Sequence, residues 1–100
     1  MDTAELELLK ANAELAVVLL KRMAHKDRLL ILCHLTTGEI SAGELSRRSL
    51  LSQSAFSQHL AVLRNEQLVK TRKEAQTIYY SLANESVIEV LATLKQIFCK

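Results

Sequence analysis

The segment from Ser52 to Leu63 constrains the fold of this chain more than any other stretch. Ser52 is a typical helix N-cap residue. The apolar residues after it recur at helical spacing: Ala55, Phe56, Leu60 and Leu63. The opposite face carries short uncharged side chains that both donate and accept hydrogen bonds: Gln53, Ser54, Ser57 and Gln58. Because base edges in the DNA major groove present mixed donor and acceptor patterns, the segment predicts a helix that lies in that groove.

The elements around this helix predict a winged helix-turn-helix, a fold that is mainly α with a small β-hairpin wing. Helices are predicted over 3–24, 26–36, 42–48, 53–66 and 85–99, strands over 68–72 and 77–82, and a hairpin loop over 73–76. Ser41 and Glu44 form a capping box before the third helix, and 49–51 is the turn of the motif. A short strand at Glu39 and Ile40 is compatible with this order.

The length and composition indicate a single domain over residues 1–100. Hydrophobic residues make up 49% of the chain and supply a core, while two glycines and no proline favour helices over linkers or disorder. No apolar run approaches the ~20 residues of a membrane span. Residues 1–7 lack the basic start and apolar stretch of a signal peptide. We therefore expect a cytoplasmic protein with no membrane partner.

The net charge is only +2, but its distribution indicates a DNA-binding face. Basic residues cluster between 47 and 73, against Glu66 alone: Arg47, Arg48, Arg64, Lys70, Arg72 and Lys73. The charged residues among the first fourteen are mainly acidic, with four carboxylates against Lys10. We expect phosphate contacts from Arg64, Lys70, Arg72 and Lys73, and base readout by Ser52, Gln53, Ser54, Ser57, Gln58 and His59. Solvated helices also need surface charges, so no single basic residue here is diagnostic.

The first and last predicted helices each carry a long apolar stripe that the helix-turn-helix core does not require. The economical explanation is a homodimer that buries both stripes together. Two-fold symmetry then places two recognition helices about one DNA turn apart, on a palindromic operator in double-stranded DNA. The alternative is that each helix covers only the core of its own chain.

The chain resembles the ArsR/SmtB-type repressors over nearly its whole length. The motifs that carry the resemblance are Leu51–Arg64 followed by Leu68 and Val69, Lys26–Leu32, Gly43–Leu45 and Ile78–Tyr80. The resemblance implies a homodimeric winged helix that represses transcription and leaves DNA when an inducer binds. Two positions depart from the family, which commonly has glycine where this chain has Ser49-Leu50 and Gln67. A left-handed backbone costs more at such positions without glycine.

The metal sites common in this family are not reproduced in the sequence. The helix over 42–48 has no cysteine, and the last helix has Glu85 and Glu89 but no histidine. The histidines are interpreted as scattered: His25, His34 and His59. We expect His59 to meet a phosphate or to pack rather than to bind a metal. The sequence therefore predicts no metal site and no cofactor, and a regulator that responds to a metal ion, or that has no thiol inducer, is the alternative.

The two cysteines, Cys33 and Cys99, are the candidate sensing residues. Cys33 taken alone is typical of a buried core residue, but Cys99 is next to last, where a core thiol contributes little. Two cysteines without metal spacing in a cytoplasmic chain suggest reversible redox chemistry. They can pair only if the last helix packs beside the second helix. Lys95, one turn before Cys99, favours a thiolate, whereas the C-terminal end of the helix disfavours one, so the sequence shows no clear activation of either thiol.

The resemblance sharpens this interpretation. A persulfide-sensing branch of the family is similar to this chain in carrying one cysteine in the second helix and another at the end of the last helix. Ile31–Cys33 and Ile97–Cys99 match these positions. The resemblance implies that a thiolate attacks a small sulfur species or an oxidant, after which a disulfide or polysulfide bridge forms. The bridge moves the dimer out of its DNA-binding geometry.

Two other classes of protein compete with this hypothesis. A winged helix also serves as a protein-interaction module with inert cysteines, but the basic wing and the polar recognition face argue against that class. An enzyme is disfavoured, because the chain has no glycine-rich phosphate loop, no paired acid cluster and no Cys-His-Asp constellation.

Overall fold

A computed structural model describes residues 1–99 and has the architecture of a winged helix-turn-helix. Its helices are α1 (Thr3–Met23), α2 (Lys26–His34), α3 (Ala42–Ser49), α4 (Gln53–Asn65) and α5 (Glu85–Phe98), and its strands are β1 (Ile40–Ser41), β2 (Val69–Glu74) and β3 (Thr77–Leu82). The predicted fold class and element order are confirmed, and the short first strand lies one residue later than expected. No helix in this described part combines the length and apolar character that a membrane span requires.

Side-chain caps explain why the helices begin where they do. Asp2, Ser41, Ser52 and Asn84 each accept a hydrogen bond from the backbone N–H three residues on, at 2.8, 3.3, 3.2 and 2.9 Å. Each side chain satisfies a donor that the first helical turn leaves without a partner. The α2 helix is capped differently, because Nδ1 of His25 accepts a hydrogen bond from the N–H of Asp27 at 3.2 Å.

Two predicted boundaries are wrong. The α2 helix ends at His34, because Leu35–Thr37 tighten into a 3-10 turn in which the Thr36 hydroxyl donates to the Cys33 carbonyl at 2.7 Å. The wing loop is shorter than predicted, since the ladder between β2 and β3 continues to the pair Glu74–Thr77. Only two residues then connect the strands. Backbone pairing in this exposed ribbon outweighs the weak strand preference of lysine and glutamate.

The three strands form an antiparallel sheet in the order β1-β3-β2. Ile40 pairs with Tyr80, and Val69 pairs with Leu82, so the base of the wing is joined to the segment that leads into α3. Ile40, Val69 and Tyr80 are all buried in the hydrophobic core. The wing is therefore attached to the helix-turn-helix through shared packing as well as through the chain.

The hydrophobic core lies between the helix-turn-helix, α2, one face of α5 and the base of the wing. Its fully buried members are Ile31, Leu32, Leu45, Leu63, Leu68, Val87 and Leu91. The α2 helix differs from a helix buried on all sides, because Leu30 is 48% exposed and Cys33 is also exposed. Only one face of α2 enters the core of the single chain.

The apolar stripe of α1 has almost no partner within the chain. Met23 is the one buried residue of this helix. Large apolar side chains stay exposed along the rest of it: Leu6, Leu8, Leu9, Leu15, Val17, Val18 and Leu20. On α5, Val87 and Leu91 are buried, whereas Ile88, Ile97 and Phe98 are exposed. Covering the core of its own chain therefore explains part of the α5 stripe and very little of the α1 stripe.

The two departures from the expected glycines fall on left-handed backbone. Leu50, in the turn between α3 and α4, has φ 58°, and Gln67, after α4, has φ 63°. Both residues are exposed, so neither position gains packing that offsets the strain. The chain adopts the expected turn geometry at a cost that glycine would avoid.

We expect Gln67→Gly to raise the free energy of unfolding by about 0.5–1 kcal/mol. A left-handed backbone costs an L residue about 1–2 kcal/mol, which exceeds the roughly 0.4–1 kcal/mol that glycine adds to the freedom of the unfolded chain. Denaturant unfolding measures the change. The matched control is Gln76→Gly, at a wing position without positive φ, which should lower stability. A similar loss in both variants would contradict the strain at Gln67.

Candidate DNA interface and dithiol cavity

The first two turns of α4 present a polar face to solvent. Gln53, Ser54, Ser57 and Gln58 are exposed, and on the opposite side Phe56, Leu60 and Leu63 are buried. The apolar residues fix the rotation of α4 about its own axis, so the polar face points outward. Ser52 stands at the start of this face, where its Oγ serves as the helix cap.

Gln53 is held in place by hydrogen bonds, whereas Gln58 is not. The Ser46 hydroxyl donates to Gln53 Oε1 at 3.3 Å, and Gln53 Nε2 donates to the Ser57 hydroxyl at 3.3 Å. Among residues 1–99, no side-chain hydrogen bond is made by Gln58. For Gln53 to contact a base, its side-chain amide must first break the hydrogen bonds to Ser46 and Ser57. The amide of Gln58 can contact a base without breaking a hydrogen bond.

His59 lies apart from the other predicted base-reading residues. Its side chain is 17% exposed, its Nε2 is 4.0 Å from Asp27 Oδ2, and its ring centroid is 4.6 Å from that of His25. Burial lowers the pKa of His59, and the neighbouring His25 and Arg28 lower it further against the opposing effect of Asp27. The interpretation of the histidines as scattered is wrong for His25 and His59. The side chain of His59 faces the start of α2 rather than the exposed polar face.

The predicted phosphate-binding residues separate into two groups. Arg72 donates to Glu39 and Glu74, each at 2.7 Å, and its guanidinium lies 4.6 Å from the centre of the Tyr79 ring. The hydrogen bond from Arg72 lowers the pKa of Glu39 and correspondingly raises that of Arg72. Arg64, Lys70 and Lys73 are exposed and form no ion pair with any carboxylate in residues 1–99. Of the four predicted phosphate-binding residues, these three therefore keep their positive charge free of ion pairs within the described part of the chain.

The basic stretch between 47 and 73 is thus partly neutralised by acids that lie just outside it. Glu44 forms ion pairs with Arg47 at 2.7 Å and with Arg48 at 3.1 Å. These two pairs could have been predicted from the sequence, because residues three and four positions apart are neighbours on a helix. The pairing of Glu39 with Arg72 joins positions 33 residues apart and depends on the sheet.

The two cysteines line one cavity. It has a volume of about 300 Å³ and lies between α2 with its following 3-10 turn on one side and α5 on the other. Its lining residues are Leu29, Cys33, Thr36, Leu91, Leu94, Lys95, Phe98 and Cys99. The second helix and the last helix therefore lie on opposite sides of the same cavity. Both cysteines are exposed free thiols, so the interpretation of Cys33 as a buried core residue is wrong for the single chain.

Three features of its environment influence the pKa of the Cys33 thiol: the cavity wall, Cys99 and Lys95. Desolvation by the cavity wall raises the pKa of its thiol, and the nearby Cys99 raises it further. Lys95 acts in the opposite direction and lowers the pKa of Cys33. From the sequence, the charge of Lys95 was expected to favour the thiolate form of Cys99. In the structure its charge acts on Cys33 across the cavity.

Comparison with known proteins identifies close relatives. The sequence model described as "Bacterial regulatory protein, arsR family" matches residues 25–71. The chain is 52% identical to the transcriptional activator HlyU of Vibrio cholerae, over 95% of this chain and 88% of the relative. It is also 52% identical to the HTH-type transcriptional regulator YgaV of Escherichia coli, over 95% of this chain and 97% of the relative.

The fold agrees with solved structures as well. The structure of reduced HlyU from Vibrio cholerae superposes with a TM-score of 0.87 at 51% sequence identity, and the match covers 94% of this chain and 99% of that chain. The agreement extends over both terminal helices, which the family sequence model leaves out.

We expect Lys95→Gln to shift the alkylation of Cys33 to higher pH. The thiolate is the reactive form, and removing a nearby positive charge raises the pKa at which it appears. The measurement is the iodoacetamide rate against pH in the Cys99→Ser background, where Cys33 is the single thiol. Lys73→Gln, in the wing, is the matched control and should leave the profile unchanged. Identical profiles for the two lysine variants would exclude an effect of Lys95 on Cys33.

Proposed function

Because the chain belongs to the arsR family of bacterial regulatory proteins, we propose that it is a homodimeric transcriptional repressor whose DNA binding is switched by Cys33 and Cys99. The observation that carries the switch is the shared cavity, since the only two cysteines of the chain line the same 300 Å³ space. The sensed compounds are persulfides or related small sulfur oxidants. DNA binding is the property that the switch controls.

The dimer is supported by the exposed apolar side chains of the terminal helices. Seven large apolar residues of α1 are 46–71% exposed, and Phe98 at the end of α5 is 77% exposed. An isolated helix is marginal in water, so α1 needs an apolar partner to remain folded. A second copy of the chain supplies such a partner and places two α4 helices on a palindromic operator.

Direct readout is assigned to the exposed polar face of α4. Gln58 and Ser54 have hydrogen-bonding groups that face solvent, and amide side chains contact base edges in the major groove. Arg64, Lys70 and Lys73 contact phosphates on either side of the groove. Arg72 contributes less to DNA binding than these three, because Glu39 and Glu74 already neutralise it.

The chemistry of the switch balances without a metal or cofactor. A thiolate of the pair attacks the outer sulfur of a persulfide, takes that sulfur and releases the donor as a thiol. The second thiolate then attacks the cysteine sulfur of the new protein persulfide and expels hydrosulfide. The product is a Cys33–Cys99 disulfide, so two protein thiols are oxidised while the transferred sulfur is reduced. When a second donor first transfers its outer sulfur to the protein persulfide and leaves as a thiol, the second thiolate attacks the inner of the two added sulfurs, expels hydrosulfide and closes a trisulfide bridge instead.

The position of the cavity explains how a bridge reaches the DNA interface. The α2 helix packs against both α3 and α4, while α5 carries exposed apolar residues assigned to the dimer contact. A covalent bond between the end of α5 and α2 therefore links the dimer contact to the support of the recognition helix. When the bridge shifts α5 relative to α2, the distance between the two α4 helices of the dimer changes. Operator binding depends on that distance.

The similar proteins are themselves regulators of transcription, which supports this proposal. One of them, HlyU of Vibrio cholerae, is a transcriptional activator, and one of its solved structures is of the reduced protein. A repressor that competes with another DNA-binding protein also acts as an activator of the gene that it frees. Occupancy of the operator, rather than the sign of its effect, is the property assigned to this chain.

We expect Gln58→Ala to weaken operator binding by about 1–3 kcal/mol with little effect on unrelated DNA, because a base contact is lost. Lys70→Gln should weaken all sequences about equally and lower the salt slope by about one unit, since a phosphate contact is lost. Fluorescence anisotropy on operator and scrambled duplexes measures both. Operator binding by Gln58→Ala at the wild-type level would refute base readout by this residue.

We expect Cys99→Ser to bind operator like the wild type and to remain bound when a persulfide is added, because one thiol cannot close the bridge. Cys33→Ser should behave in the same way. Thr93→Val, which changes a residue of α5 that does not line the cavity, is the control and should be released normally. Anisotropy reports release, and intact mass reports loss of two hydrogens or gain of sulfur. Normal release of Cys99→Ser would end the two-thiol mechanism.

A further inference from the structure

A second cluster of ligating side chains lies away from the cysteines. His25 and Asp27 at the start of α2 meet His59 on the recognition helix, and their ligand atoms lie within 4.8 Å of one another. We propose that these three residues form a binding site for a divalent transition-metal ion of the zinc class, which links the start of α2 to the recognition helix.

The ligand chemistry fits such an ion. Imidazole and carboxylate are ligands that Zn²⁺ accepts, and two histidines with one carboxylate leave a fourth position open to water. Ligands of a tetrahedral zinc ion with bonds of about 2.0–2.2 Å are roughly 3.4 Å apart. The distance from His59 Nε2 to Asp27 Oδ2 is 4.0 Å, so modest side-chain rotation brings the set to bonding distance.

The groups around the cluster determine how tightly it binds. His25 Nδ1 already accepts the capping hydrogen bond from Asp27 N–H, so His25 binds through Nε2 or gives up that cap. Arg28 lies close enough to His59 to act on it electrostatically and opposes a bound cation, whereas Asp27 favours one. His25 is exposed, and Asp27 and His59 are half-buried, so the site is open to solution on one side.

The consequence of binding is a restraint on α4. His59 lies on α4, the helix that carries the polar face. His25 is the N-cap of α2 and Asp27 lies in the first turn of α2, which packs against α4. A metal bond across this contact adds to the core packing that sets the position of α4. The two cysteines take no part in it, so the site is separate from the thiol switch.

The test uses the full chain with both cysteines changed to serine, so that no thiol binds the metal. Co²⁺ serves as the spectroscopic probe and Zn²⁺ as its competitor. We expect one Co²⁺ per chain with visible bands typical of nitrogen and oxygen ligands, displacement by Zn²⁺, and a higher melting temperature with Zn²⁺.

His25→Asn is the decisive variant, because asparagine retains an N-cap oxygen while removing the imidazole. It should weaken Co²⁺ binding more than tenfold, since even changes to groups that support a metal ligand cost about 10–100-fold. His59→Gln should do the same where circular dichroism shows that it folds. His34→Gln, which removes a histidine outside the cluster, should bind like the parent. Failure of the parent to bind Co²⁺, or equal binding by His25→Asn and His34→Gln, would overturn the proposal.

Discussion

The burial of Phe56, Leu60 and Leu63 on one side of α4 determines what the other side of that helix does. The three side chains anchor α4 in the core that α2, α3 and the wing base share. An apolar stripe of this kind fixes the rotation of a helix about its axis, because any turn would expose it. The exposed amides and hydroxyls acquire a defined direction from that constraint, although they make few contacts of their own.

Local features of the sequence were sufficient to predict most of the fold. The helix starts follow from cap residues such as Ser41, Ser52 and Asn84, whose side-chain oxygens bond to the backbone three residues on. Helical spacing of apolar residues identified α4 and its exposed face. The errors lie at ends: α2 tightens after His34, and the wing ladder extends to Glu74. Such boundaries depend on hydrogen bonds that composition does not specify.

The candidate sites were predicted less completely, because they depend on residues that are distant in the chain. Arg72 has the appearance of a phosphate ligand until the sheet places Glu39 beside it, 33 residues away. His25 and His59 look unrelated in sequence and are neighbours only because α2 packs on α4. The positions of Cys33 and Cys99 were interpreted through a resemblance, and the structure places both residues on the wall of one cavity between α2 and α5.

The solvent exposure of both cysteines also bears on how long an oxidised state persists. In the proposed switch, a bridge between the two exposed cysteines is as accessible to dithiol reductants as the free thiols are to an oxidant. Cys99 follows the last residue of α5, where opening of a terminal turn costs little free energy. Reduction of the proposed bridge therefore needs no unfolding of the domain, and the lifetime of the oxidised state would follow the redox balance of its surroundings rather than the stability of the fold.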